Sequence, residues 1–225
     1  MKRKGLWMKR LILMQKTKLL PLSYLGPIHL FAHVVNADKV MIEQQANYQR
    51  KTYSNRCSIT GANGPLSIAV PVVNVKNKKT IIKDTRISYE TRWQKQHWRS
   101  IVSAYNSSPF FEYYADDFAP FYEKNFKYLV DFNQGLFHTL IDELELELDV
   151  ELTTDFCKTE DAVFDDLRKV IHPKATVDND ENYQTVEYRQ VFSEKYPFIP
   201  NLSVIDLLFS KGPETYDILK NSIKV

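Results

Sequence analysis

Between Lys18 and Glu43 the hydrophobic period of the sequence changes twice, and no other stretch constrains the fold as much. Lys18 to Leu25 (KLLPLSYL) is a short apolar run that reads as a strand despite Pro21. Gly26-Pro27 breaks it. Ile28 to Ala37 then sets Leu30, Phe31, Val34 and Val35 at helical spacing, with Asn36 and Asp38 closing the helix. Lys39 to Glu43 (KVMIE) returns to an apolar run bounded by polar residues, the pattern of a buried strand. Strand, helix and strand in roughly 25 residues form a βαβ unit, whose strands run parallel because the helix carries the chain back to the starting end. The loop Ser23 to Pro27 then lies at the carboxyl end of the first strand, where open α/β sheets place ligands.

The next stretch, Tyr48 to Pro71, concentrates polar chemistry just before a strand pair. Asn55–Thr60 and Leu66–Val73 are rich in Ile and Val, and Asn63-Gly64 between them suits the positive φ angles of a tight hairpin turn. Arg50, Lys51, Asn55 and Arg56 precede or open the first strand, with Tyr48 and Tyr53 among them. Such a set can clamp a phosphate or carboxylate through charge-assisted hydrogen bonds, although four polar residues in seven are also ordinary on a solvated surface. Lys79 to Tyr89 reads as a second hairpin or extended segment after a lysine-rich loop. No glycine-rich phosphate loop is present.

From Thr91 the chain turns helical. Trp98, Ile101, Val102 and Tyr105 share one side, with Arg92, Lys95 and Arg99 alongside. His97 follows Trp93 by one turn, near the other edge of that apolar side. An imidazole among two tryptophans and several cations suits an anionic or carbohydrate ligand and general acid–base work, or merely caps the edge of a packed helix. A long amphipathic helix is expected over 126–148, a return to strand at 149–155 and a polar loop at 173–184. Ser203 is placed to cap a short buried helix containing Val204, Ile205, Leu207 and Leu208.

Other candidates weigh less. His29 and His33, at i and i+4, could share a metal ion, but no third ligand is evident nearby; two exposed or edge histidines, and no metal, are expected. Cys57 reads as a small buried residue of the hairpin. Two cysteines in no CxxC arrangement are too few for a disulfide framework and favour a reducing compartment. A net charge of +2 offers no polycationic surface for nucleic acid, and no stretch approaches a membrane-spanning length. With 225 residues and 44% hydrophobic content the chain can bury a full core unaided. Residues 1–16 read as a flexible basic extension and 17–225 as a single domain, with a cytoplasmic location expected.

These segments carry a resemblance. The strand–helix–strand opening, R-K-T-Y-S-N-R at 50–56, N-G-P-L-S-I-A-V-P-V at 63–72, W-Q-K-Q-H-W-R-S-I at 93–101, A-Y-N-S-S-P-F-F-E-Y-Y at 104–114 and N-L-S-V-I-D-L-L-F at 201–209 resemble the WbqC-like protein family. The resemblance implies a role in surface-polysaccharide or O-antigen assembly, and transfer of an acyl or aminoacyl group to an amino sugar is one role suggested for the family. Many members carry His-Gln-Pro-x-Tyr-Leu-Pro after the first strand. Tyr24 and Leu25 match that motif, but Leu20, Pro21 and Leu22 stand at its first three positions. An acidic pair usual at the end of the second strand is replaced by Gln44 and Gln45. His97 would then serve alone as base, or the chain has become a binding or assembly protein.

The expected fold is therefore α/β with an α+β tendency: a mixed sheet with a βαβ-like opening, a β-hairpin and a mostly helical second half. The expected catalytic residue is His97, and the expected substrate-binding residues are Tyr24, Tyr48, Arg50, Tyr53, Asn55, Arg56 and Trp93. The expected partners are a sugar nucleotide or other anionic small molecule and an acyl-carrier donor, with no nucleic acid and no cofactor.

Overall fold

The computed structural model describes residues 16–73, 80–158 and 164–224. The extension expected at 1–16, apart from Lys16, and most of the lysine-rich loop, 74–79, lie outside the described residues. The chain forms an α/β fold. Strand β1 (Thr17–Pro21) leads into helix α1 (Ile28–Val34) and strand β2 (Lys39–Glu43), and β1 and β2 pair in parallel with Thr17 opposite Lys39 and Pro21 opposite Glu43. Strands β3 (Arg56–Ile59) and β4 (Leu66–Ala69) make a separate antiparallel hairpin. Helices α2 (Trp93–Tyr105), α3 (Phe111–Phe118) and α4 (Leu129–Glu143) follow. Strands β5 (Asp149–Leu152) and β6 (Asp165–Asp166) then join the first sheet, and helices α5 (Val204–Lys211) and α6 (Glu214–Asn221) close the fold.

The four-stranded sheet has the order β5–β2–β1–β6, parallel throughout. Leu19 and Leu20 are neighbours on β1 and both buried, so this strand is covered on both faces, as parallel strands generally are. The chain steps from β1 to β2 on one side and returns to β6 on the other, so the crevice at the carboxyl end of β1 is a topological switch point. The loop Leu22–Pro27 occupies it.

Every residue of α1 is buried, including His29 and His33, because the helix lies between the sheet and helices α5 and α6. Its entry is tied to the C-terminal region: Ile28 N–H donates to the Leu202 carbonyl and Val204 N–H to the Gly26 carbonyl, each at 2.9 Å. Val204 to Ser210 are all buried, as the apolar run of α5 demands. Ser203 does not cap that helix; its hydroxyl donates to the Leu25 carbonyl at 2.7 Å and fastens the β1–α1 loop instead.

Three local expectations change. The hairpin strands are joined through a turn closed by Gly64 N–H on the Gly61 carbonyl, and Gly64 (φ 100°), without Asn63, takes the left-handed conformation. Residues 80–89 form no second hairpin; a short 3-10 turn at Ile82–Asp84 is flanked by isolated bridges from Ile81 to Asn47 and from Ile87 to Val72. Helix α4 stops at Glu143, and Glu145 turns at φ 53° so that the acidic run Asp142 to Asp149 (DELELELD) can leave the helix and enter β5.

Candidate functional site

The sharp turn after β1 decides where Tyr24 goes. Leu25 adopts φ 43°, and Tyr24 N–H donates to the Tyr53 carbonyl at 2.8 Å, so the loop is held against the segment preceding β3. The Tyr24 side chain is fully buried. Its hydroxyl lies 3.0 Å from His97 Nδ1 and 2.9 Å from the Tyr122 hydroxyl. His97 donates from its other nitrogen to the Ala69 carbonyl of β4. One consistent direction runs through this chain: Tyr122 O–H donates to Tyr24, Tyr24 O–H donates to His97 Nδ1, and His97 Nε2–H donates to Ala69.

Trp93 and His97 face inward together because they lie one turn apart on α2, and Trp93 meets His97 edge-on with ring centres 5.1 Å apart. His97 is only 6% exposed, so it belongs to the core rather than to the edge of its helix. Burial lowers its pKa to about 4, against the opposing bond to Ala69, and the ring is neutral at physiological pH. Burial likewise raises the hydroxyls of Tyr24 and Tyr122.

Tyr48, Arg50 and Arg56 form a second group near the protein surface. Burial raises the Tyr48 hydroxyl while the positive charges of Arg50 and Arg56 pull it back. The ion pairs of arginine among the described residues fall to Arg168 and Arg189, and Arg56 Nε is buried without a partner. Asn55 braces the hairpin by donating to the Val70 carbonyl at 2.9 Å, while its side-chain oxygen is buried and unpartnered. Arg56 stands opposite Ala69 in the hairpin, and the Ala69 carbonyl is the acceptor for His97, so one residue separates the two groups. Tyr53 adds a hydrogen bond to Asn201. A cavity of about 440 Å³ lined by Arg92, Lys95, Trp98 and Tyr122 reaches the buried chain from its Tyr122 end.

A further group, of which pattern reading passed over Glu43 and Arg168, closes the carboxyl end of the sheet. Glu43, 1% exposed, accepts from Arg168 at 2.8 Å and from the Thr153 hydroxyl at 2.9 Å. Arg168 also grips Asp166 at 2.7 Å, so it spans from β6 past the end of β1 to β2. Gln44 and Gln45 bond to the Thr153 and Thr154 carbonyls. No local signal marked Arg168, which lies 125 residues from Glu43.

The histidines of α1 are the clearest departure from expectation. His29 and His33 are 2% and 1% exposed, not edge residues, and both direct Nε2 at one oxygen of Asp180, at 2.7 and 2.6 Å. The helical i, i+4 spacing sets the two rings on one face, with centres 5.4 Å apart and tilted by 49°, and the 173–184 loop folds back to bring the carboxylate. These three residues are the group among the described residues whose donor atoms lie close enough together to share a metal ion.

Among proteins of known sequence, an uncharacterized protein of Mycobacterium tuberculosis, Rv1507c, is 25% identical over 237 residues, covering 92% of this chain and 98% of that protein. No solved structure gives a significant match. No helix among the described residues is long and apolar enough to cross a membrane. The model of the WbqC-like protein family matches residues 23–218, which takes in the Tyr24 loop, the hairpin, α2 and α5, and the chain belongs to that family.

Proposed function

We propose that this chain binds an anionic sugar-linked ligand and takes part in acyl or aminoacyl transfer to an amino sugar during surface-polysaccharide or O-antigen assembly. The observation that carries this reading is the pair of arginines whose charges act on Tyr48: neither forms an ion pair with a carboxylate among the described residues, and Arg56 keeps a buried Nε–H with no acceptor. Arg56 is half-buried and Arg50 exposed, and guanidinium groups without a carboxylate partner are suited to a phosphate or carboxylate, which they can grip bidentately. In this role Arg50, Asn55 and Arg56 hold the anion, Tyr24, Tyr48, Tyr53 and Trp93 shape the wall, and His97 with Tyr24 takes the proton. The sugar amine attacks the acyl carbon, the C–N bond forms as the bond to the acyl carrier breaks, and the departing carrier takes up the proton the amine gives away.

A second reading, a non-catalytic binding protein of the same family, is favoured by the state of His97. Both its nitrogens are engaged and its pKa of about 4 makes it a weak base. Thermal unfolding with added amino-sugar nucleotides, alongside mass-spectrometric search for an N-acylated product, separates the two. Product formed by the wild type and lost in His97→Gln supports transfer; stabilisation by several degrees without product supports binding alone. Arg56→Ala should abolish the stabilisation in either case, and an unchanged shift removes the anion from this wall.

A further inference from the structure

We propose that His29, His33 and Asp180 form a binding site for one divalent ion of the zinc type. All three side chains are buried, and two imidazoles on consecutive turns of α1 converge on a single carboxylate oxygen supplied from 147 residues or more away in sequence. Two nitrogens and a carboxylate oxygen are a donor set that Zn²⁺ and its borderline-soft neighbours favour, with a fourth position left for water or an external ligand.

The surroundings hold the donors in place. Asp180 accepts the Asn182 N–H at 3.0 Å on its other oxygen, which turns Oδ2 toward the histidines. The His29 ring packs on Tyr183 with centres 4.3 Å apart, fixing its orientation. Lys18, whose charge acts on His33, is paired with Asp165 at 2.7 Å. His33 Nδ1 is buried without a partner, so all of that ring's polar chemistry is aimed at Asp180. Two wholly buried imidazoles on a helix packed all round are costly where leucine would serve the core, and ion binding supplies what hydrogen bonding alone does not.

Replacing the two shared protons by a metal changes the spacing modestly. Tetrahedral ligands at about 2.0–2.1 Å place donor atoms about 3.3 Å apart, roughly half an ångström wider than the present contacts. Asp180 sits just after the 3-10 turn Val177–Asn179, in a loop rather than in a helix, and supplies that movement. The ion would fasten this loop to α1. The same helix reaches the arginine-bearing wall, because His29 N–H donates to Asn201 Oδ1 at 3.0 Å and Asn201 bonds Tyr53.

The test uses the full chain stripped with chelator and titrated with Zn²⁺ by calorimetry and with Co²⁺ by visible absorption. Expected are one ion per chain, a four-coordinate Co²⁺ band and a raised melting temperature. Asp180→Asn, which keeps the volume and one acceptor oxygen, and His29→Gln should each weaken binding at least 100-fold, while His172→Gln and Cys157→Ser bind as the wild type. Imidazole ¹⁵N spectra of the unaltered chain need no variant: of its five histidines, His29 and His33 alone should shift their Nε2 resonances with Zn²⁺. Absence of saturable 1:1 binding, wild-type affinity in both Asp180→Asn and His29→Gln, or shifts at other histidines would overturn the site.

Discussion

Asp180 and Asp206 are both buried, at 6% and 0% exposed, and each accepts two short side-chain hydrogen bonds, yet the pKa values of the two carboxyls are shifted in opposite directions. Asp206, in the first turn of α5, takes its bonds from the phenols of Tyr105 at 2.8 Å and Tyr188 at 2.6 Å. Burial raises its carboxyl to about 6, and the two phenols pull it back only in part. At Asp180 burial also pushes upward, but the bonds from His29, His33 and the Asn182 amide outweigh it and the carboxyl ends below its ordinary value. The difference lies in what the donors can do besides donate. A phenol offers one proton and no charge, so Asp206 is a structural knot that joins α2, α5 and the Tyr188 segment. An imidazole can also ligate a metal, so Asp180 stands in a group with chemistry still open to it.

The largest effect that would test this contrast comes from removing the knot. Asp206→Ala leaves two buried phenols without an acceptor and should lower stability by about 4 kcal/mol, measured by urea unfolding. Asp206→Asn keeps an acceptor and should cost far less; equal losses would mean that hydrogen bonding is not what Asp206 contributes.

The pH dependence sharpens it next. Asp206 has a folded pKa raised from 3.8 to about 6, so its contribution to stability is complete below about pH 4 and is lost as pH rises through 6. His97 has a folded pKa lowered from 6.5 to about 4, so its contribution is complete above about pH 6.5 and is lost as pH falls toward 4. Each amounts to about 3 kcal/mol, and they oppose each other over the same window. The wild type should therefore show a flatter stability profile between pH 4 and 6 than either Asp206→Asn, which should gain stability as pH rises, or His97→Gln, which should lose it. Three parallel profiles would contradict both assignments.

The smallest effect concerns a single bond. Tyr188→Phe should cost about 1 kcal/mol and move the Asp206 midpoint upward, as followed by carboxyl carbon-13 titration. A downward move would show that the phenol, contrary to its geometry, disfavours the carboxylate.

Much of the scaffold was legible because it is written in short-range periods. The apolar runs at 18–25 and 39–43 and the helical spacing of Leu30, Phe31 and Val34 give β1, α1 and β2, and the Ile/Val-rich runs give the hairpin with Cys57 buried in it. Where local reading erred, a distant partner had claimed the residue. Ser203 has the composition of a helix cap, but the Leu25 carbonyl takes its hydroxyl. The same holds for the candidate site. Local composition singles out Trp93 and His97 and the family resemblance adds Tyr24, and the three do meet, but as an enclosed, hydrogen-bonded group in the core rather than as an open pocket.

The sequence by itself determined the α/β class, the parallel opening unit and the basic-aromatic stretch before the hairpin, since each depends on residues within a few positions of one another. Only the tertiary structure decided that His29 and His33 are buried, that Asp180 completes their group and that Arg168 bridges to Glu43. Those contacts join residues 125 to 151 positions apart. Side-chain period reports which face of an element turns inward, but which charge waits on the other side is set by how the chain closes.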